Sequence, residues 1–189
     1  MLQLLKYDQQ LFKLINNEWH NAFFDRLMPM LRNSTTWVPF YVFFILFVLI
    51  NYKRTSPWWL LFAVCLPIIT DLVSSSLIKN IHFLYRLRPC NDPSLADHIR
   101  VLVAYRPQSS SFTSSHATNH FGIATFFYLS FKTKENKWPW LLFFWAFIIS
   151  YAQVYVGVHY PLDVICGGLI GILIGYLCGK LFNRNYGLA

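Results

Sequence analysis

Five stretches of the chain restrict its fold more than anything else in it. Positions 37–50, 57–78, 116–131, 138–158 and 161–181 hold only three charged side chains among them, Asp71, Asp163 and Lys180. Hydrocarbon offers no water to satisfy backbone N–H and C=O groups, so such segments form helices or the strands of a closed barrel. Their lengths suit helices, since a bilayer core takes roughly 20 helical residues. The first stretch is short and needs Thr35 and Tyr52 to extend it. The expectation is an all-α, polytopic membrane helical bundle of about five spans. Only 13% of the 189 residues are charged, against roughly 25% in soluble domains.

The 1–33 segment is too polar to span. Leu2, Leu4, Leu5, Leu11, Phe12, Leu14 and Ile15 alternate with Lys6, Asp8, Gln9, Gln10 and Lys13. That pattern predicts an amphipathic helix in the interface. A second short helix carries Phe23, Phe24, Leu27 and Met28, with Asn21 as its cap. Both helices alternatively pack against the bundle. No cleaved leader is expected here. The whole of 1–189 reads as one domain: 1–33 interfacial helices, then 34–189 as the bundle, with one long polar connection over 80–115. Trp37, Trp58, Trp59, Trp138 and Trp140 read as interfacial belt residues. Gly167, Gly168, Gly171 and Gly175 allow close helix packing. Cys90 lies in the polar connection with no evident partner.

The net charge of +8 belongs to the membrane, not to nucleic acid, for no basic groove or nucleic-acid motif accompanies it. Lys53/Arg54, Lys132/Lys134/Lys137 and Lys180/Arg184 fall on one side when crossings are counted, the cytoplasmic side by the positive-inside rule. The opposite, external side receives three polar islands, at 79–89, 109–116 and 154–163. Arg86, Arg88, Arg100 and Arg106 lie there against the rule. Asp71, Ser75 and Lys79 share one helix face.

Arginines, a lysine and a helix start make an anion site suited to phosphate. A histidine backed by a carboxylate, as His159 and Asp163 are spaced to be, is an oriented nucleophile; a second histidine, His116, can protonate a leaving group. No carboxylate cluster suits magnesium. His116 and His120 without a third ligand are a weak zinc signal, so no metal or cofactor is expected.

These islands resemble the signature motifs of the type 2 phosphatidic acid phosphatase superfamily, integral-membrane lipid phosphatases that share a fold with vanadium haloperoxidases. Arg88-Pro89 matches the end of the first motif, Thr113-Ser114-Ser115-His116 the second, and His159 with Asp163 the third. The resemblance implies that His159 attacks phosphorus to give a phosphohistidine and that Asp163 fixes its tautomer. His116 would protonate the leaving alkoxide and then activate water. Arg88, Lys79, Ser114 and the backbone of Ser115 and His116 would bind phosphate oxygens. Implied substrates are phosphatidic acid, phosphatidylglycerol phosphate, undecaprenyl pyrophosphate and lipid A phosphates, met in a bacterial inner membrane with the site facing the periplasm.

Three positions depart from the family pattern. Eight residues separate Lys79 from Arg88 where the family has six, so Arg86, at the family spacing, is an alternative partner. Gln153 stands where the third motif carries an arginine; Arg106, in the same external loop as His116, either supplies that charge or meets lipid headgroups or solvent. Ser115 replaces glycine. The Gln153 substitution keeps open an alternative function, a catalytically impaired member that binds phosphorylated lipid or a partner without turnover.

Overall fold

The computed structural model describes residues 2–188; their regular structure is all helical, with no strand among them. Seven α-helices follow in order: α1 Leu2–Lys13, α2 Ala22–Leu31, α3 Val38–Asn51, α4 Ser56–Asp71, α5 Ser115–Phe131, α6 Leu141–Tyr155 and α7 Pro161–Asn185. Four stretches are long and apolar enough to cross a bilayer: Ser34–Asn51, Ser56–Ile78, Trp138–Tyr155 and Pro161–Asn185. The fifth expected span, α5, is 17 residues long and is enclosed by the others. Its first turns carry Ser115, His116, Thr118, Asn119 and His120, polar groups that protein rather than lipid must surround.

α5 packs most extensively on α7, then on α6 and α4. Glycine makes the first of these contacts possible. A Cβ on Gly171 would lie 2.2 Å from the Thr118 carbonyl oxygen, and one on Gly175 would lie 2.3 Å from that of Gly122. The backbones therefore approach at a distance that a side chain forbids. Around this axis an aromatic core gathers Phe44, Trp59, Phe126, Phe127, Phe131, Trp145 and Phe182. Trp59 is fully buried there, a correction to its reading as a belt residue: its indole meets Phe126 and Phe127 on the central helix. Phe43, Leu46, Ile50, Val64, Phe144, Leu169 and Leu173 face outward.

The N-terminal helices pack against the polar end of the bundle. Phe12, Ile15 and Met28 join Tyr155, Val156, Val158 and Tyr160 in a second core. Asn16 ties them down: its Nδ2 donates to the carbonyls of Arg100 and Tyr155, each at 2.8 Å, and its Oδ1 accepts from Arg100 N at 2.8 Å. Asp25 accepts from Tyr155 Oη at 2.7 Å and pairs with Arg100. Asn21 caps α2 by accepting from Phe24 N. Leu4, Tyr7, Leu11, Phe23 and Met30 stay exposed, the apolar face that an interfacial position uses. The long connection is built of short 3₁₀ turns at His82–Leu84, Pro89–Asn91 and Pro93–His98.

Candidate active site

The α6–α7 turn sets the position of His159. Gly157 makes that turn with φ +87° and passes so close to Arg100 that a Cβ would sit 2.6 Å from its carbonyl oxygen. Val158 N and His159 N both donate to the Gln153 carbonyl, at 3.2 and 3.3 Å. Tyr160 then caps α7, Pro161 opens it, and Asp163 is its third residue. From there Asp163 Oδ2 accepts from Tyr160 N at 2.9 Å, the backward half of a capping box. The four-residue spacing of His159 and Asp163 thus follows from helix-start geometry.

The ring of His159 is 2% exposed and is held on both edges. Its Nε2 lies 2.9 Å from Arg88 Nη1. Arginine only donates, so Nε2 presents its lone pair and Nδ1 carries the proton. Nδ1 is 3.4 Å from Ser111 Oγ and 3.7 Å from Asp163 Oδ2, and Ser111 Oγ donates to Asp163 Oδ2 at 2.5 Å. Burial pushes the His159 imidazolium down to about 4, with Arg88 acting in the same direction and Asp163 opposing. The ring is therefore neutral at neutral pH.

Arg88, itself 5% exposed, is clamped by Ser109: Nε donates to its carbonyl at 2.9 Å and Nη2 to its Oγ at 3.1 Å. Nη1 also reaches the Val158 carbonyl at 3.2 Å. Arg88, rather than Arg86, is the arginine beside His159. Arg86 turns behind the site instead. Its Nη1 lies 2.6 Å from Asp8 Oδ2 and 3.2 Å from Asp163 Oδ1, with its guanidinium over the Tyr160 ring. Two carboxylates neutralise it, so it carries no free charge for phosphate.

Lys79 reaches the second motif despite the two extra residues before Arg88. A π-helical segment, Leu72–Ile78, shifts its phase, as such bulges do at functional sites. Its Nζ donates to Ser115 Oγ at 2.8 Å. Ser115 Oγ also meets Ser74 and Ser75, each at 2.9 Å, and Ser75 donates to Asp71 at 2.9 Å. Asp71 thus acts on Lys79 through two serines. Burial pulls the Lys79 ammonium down to about 8, Arg88 being the next cause. Ser114 caps α5 by accepting from Ala117 N, and its own N–H donates to the Asp163 carbonyl at 3.1 Å. That bond ties the second motif to the third.

His116, half-buried one residue into α5, lines a groove of about 380 Å³ with Arg32, Pro29, Ser34, Leu102 and Tyr105. On the Lys79 side a polar groove of about 580 Å³ is lined by Ser75, Lys79, His82, Tyr85, Ser109 and Ser110. An apolar cavity of about 370 Å³ between α3, α4 and α5 contains Tyr41, Ile45, Val64, His120 and Ile123, and shares Ser34 with the His116 groove. His120 packs there against Trp145.

Arg106 is exposed and donates to the Cys90 carbonyl at 3.1 Å; it does not meet Gln153. The arginine that does is Arg32, whose Nε donates to Gln153 Oε1 at 3.3 Å. Sequence reasoning missed Arg32, Asp8, Ser109 and Ser111. The two serines lie in the second polar island and were visible there. Nothing in the N-terminal segment marked Arg32 or Asp8.

The profile of the PAP2 superfamily matches residues 56–186, the region that holds every motif residue described above. The chain belongs to the PAP2 superfamily. It is an integral membrane protein and a lipid phosphatase of that superfamily. Two curated relatives resemble it over nearly its full length. One, from Bacteroides thetaiotaomicron, is called lipid A 4'-phosphatase: it is 33% identical, over 90% of this chain and 74% of its own length. The other, from Sulfolobus acidocaldarius, is called undecaprenyl-diphosphatase: it is 30% identical, over 93% of this chain and 78% of its own. The crystal structure of Aquifex aeolicus LpxE superimposes with a TM-score of 0.65 at 28% identity, covering 91% of this chain and 94% of that one.

Proposed function

We propose that this PAP2 protein hydrolyses a lipid phosphate or diphosphate at the external membrane face through a covalent phosphohistidine on His159, without a metal ion. The observation that carries the reading is the orientation of His159. Its Nε2 lone pair is beside Arg88 at 2.9 Å, and its Nδ1 side is turned to Ser111 and Asp163. This is a buried neutral nucleophile with an anion-binding guanidinium at the attacking atom.

In the first step Nε2 attacks phosphorus and the bond from phosphorus to the lipid oxygen breaks. The leaving oxygen takes the electron pair, and His116 supplies its proton. Asp163 stabilises the imidazolium that forms. In the second step water attacks the phosphorus of the phosphohistidine, His116 takes its proton, and the electron pair of the broken phosphorus–nitrogen bond returns to Nε2. Arg88 and Lys79, with the start of α5, stabilise the charge on the equatorial oxygens. The surrounding charges are cationic, and they supply the neutralisation that a divalent ion supplies elsewhere.

The substrate keeps its chains in the bilayer. The apolar cavity between α3, α4 and α5 and the His116 groove have Ser34 as a common lining residue, which supports a route by which a lipid tail stays in hydrocarbon while its phosphate meets His116. The relatives make a lipid A phosphate and undecaprenyl diphosphate the two leading substrates. The test is phosphate release by purified protein in detergent from both lipids and from phosphatidic acid, with EDTA present and H159A in parallel. Release that EDTA spares and H159A loses is the expected result. EDTA-sensitive release, or release by H159A, would overturn the mechanism.

A further inference from the structure

Arg32 stands at the end of α2, in the segment that precedes the first span, yet it reaches the phosphatase site. Its Nε donates to the side-chain oxygen of Gln153 at 3.3 Å. Gln153 is fully buried, and its backbone carbonyl holds the N–H groups of Val158 and His159. Because the guanidinium donates, the amide of Gln153 is oriented with its oxygen toward Arg32. The amide nitrogen, Nε2, then has no hydrogen-bond partner among the described residues. A buried N–H donor left unmade costs on the order of 1–3 kcal/mol, so it is a group prepared for an acceptor.

The charge of Arg32 is also unanswered. Among the described residues the ion pairs involve Arg86, Arg100 and His159, and none involves Arg32. The side chain is partly buried and lines the groove that contains His116. Burial works against its charged form. A half-buried guanidinium with no carboxylate, beside an unpaired amide donor and the second histidine of the site, is arranged for an anion.

We propose that Arg32, held by Gln153, binds the phosphoryl group being transferred, so that the N-terminal helices contribute a substrate-binding residue to the site. The two side chains act together on that group. Gln153 supplies the donor next to the His159 backbone, and Arg32 supplies the charge from outside the bundle. The inference rests on the phosphatase reading above. It also gives α1 and α2 a role besides packing, since an N-terminal truncation removes a cation from the active site.

The test compares wild type, H159A, R32Q, Q153R and the double variant R32Q/Q153R in phosphate release, with orthovanadate as a competing phosphate mimic. Activity in wild type and its loss in H159A establish the reading on which the inference depends; the arginine variants are then read separately. R32Q is expected to lose about 100-fold or more in kcat/KM on monoester and diphosphate lipids alike. It is expected to weaken orthovanadate inhibition about tenfold or more. Returning the charge at position 153 in R32Q/Q153R is expected to recover about tenfold of the loss. The inference is overturned if R32Q stays within about threefold of wild type, if its orthovanadate inhibition is unchanged, if the loss is confined to diphosphates, or if the double variant recovers nothing. Should R32Q fail to fold, R32M, which removes the charge and keeps an apolar stem of similar reach, answers the same question: orthovanadate is expected to raise the Tm of wild type, and an equal rise in R32M would overturn the inference.

Discussion

A single methyl group at Gly167 should slow the enzyme without unfolding it. α7 crosses α5 at this residue, and a Cβ there would lie 2.6 Å from the Ser114 carbonyl oxygen and 3.1 Å from Thr118 Oγ1. Ordinary contact begins near 3.4 Å, so the carbonyl must yield by about 0.8 Å, or the helices must part by a comparable amount. Ser114 caps α5, and His116 follows two residues later. G167A therefore displaces His116, the proposed proton donor, relative to His159 and Asp163. A misplacement of about 1 Å can cost roughly 100-fold, so G167A should lower kcat by about 30- to 100-fold with little change in KM. Overpacking of this kind costs about 1–3 kcal/mol, which leaves the protein folded with a reduced Tm. G179A is the control. Its Cβ would meet Leu129 Cδ1 at 2.7 Å, a flexible side chain at the far end of the same helix pair, and it should keep full activity. Phosphate release and thermal melting in detergent read both quantities. G167A with activity within about threefold of wild type and an unchanged Tm would refute the claim that this crossing positions the site.

Other substitutions probe the remaining parts. D163N keeps the side-chain shape but removes the anion that faces Nδ1; kcat should fall by about 10³–10⁴ in steady-state assays. The basic limb of kcat/KM should begin near pH 8, because Lys79 is charged below its lowered value of about 8 and loses its proton above it. K79R should carry that limb to higher pH. With His159 pulled down to about 4, its ring stays neutral throughout this range. D8A should destabilise the protein by about 1–2 kcal/mol, read as a lower Tm, because it leaves the Leu162 N–H without an acceptor while Arg86 keeps Asp163 as its remaining carboxylate.

Much of the bundle was legible because membrane helices announce themselves by what they exclude. Runs nearly free of charge marked the spans directly, and the polar ends of those runs pointed to His116, His159 and Asp163. The glycines of α7 were readable as a packing face for the same reason: spacing on one helix is local information. What could not be read depended on contacts between distant segments. Arg32 lies 121 positions from Gln153, at the end of a helix whose pattern speaks only of an amphipathic surface. Arg86 and Arg88 are two residues apart, one favoured by its spacing from Lys79 and the other by the proline that follows it. Their roles separate only when Asp8, from α1, is placed against one and Ser109 against the other. The spacing of Lys79 looked wrong on an ideal helix, and the π-helical Leu72–Ile78 segment supplied the phase that a count of residues omits. Trp59 resembled its neighbour Trp58 in sequence, yet one is 0% and the other 44% exposed. Only the packing of α4 on α5 distinguishes them.

A covalent bond between phosphorus and His159 Nε2 is the step on which the mechanism stands. The most direct measurement is to mix the protein with a lipid labelled in its terminal phosphate, quench in alkali during turnover, and locate the label by peptide mass spectrometry. The mechanism predicts label on the peptide that contains His159, stable to alkali and released by acid, present with EDTA and absent in H159A. Turnover by wild type with no protein-bound label at any quench time, joined by residual turnover in H159A, would contradict it and would mean that water attacks the substrate directly.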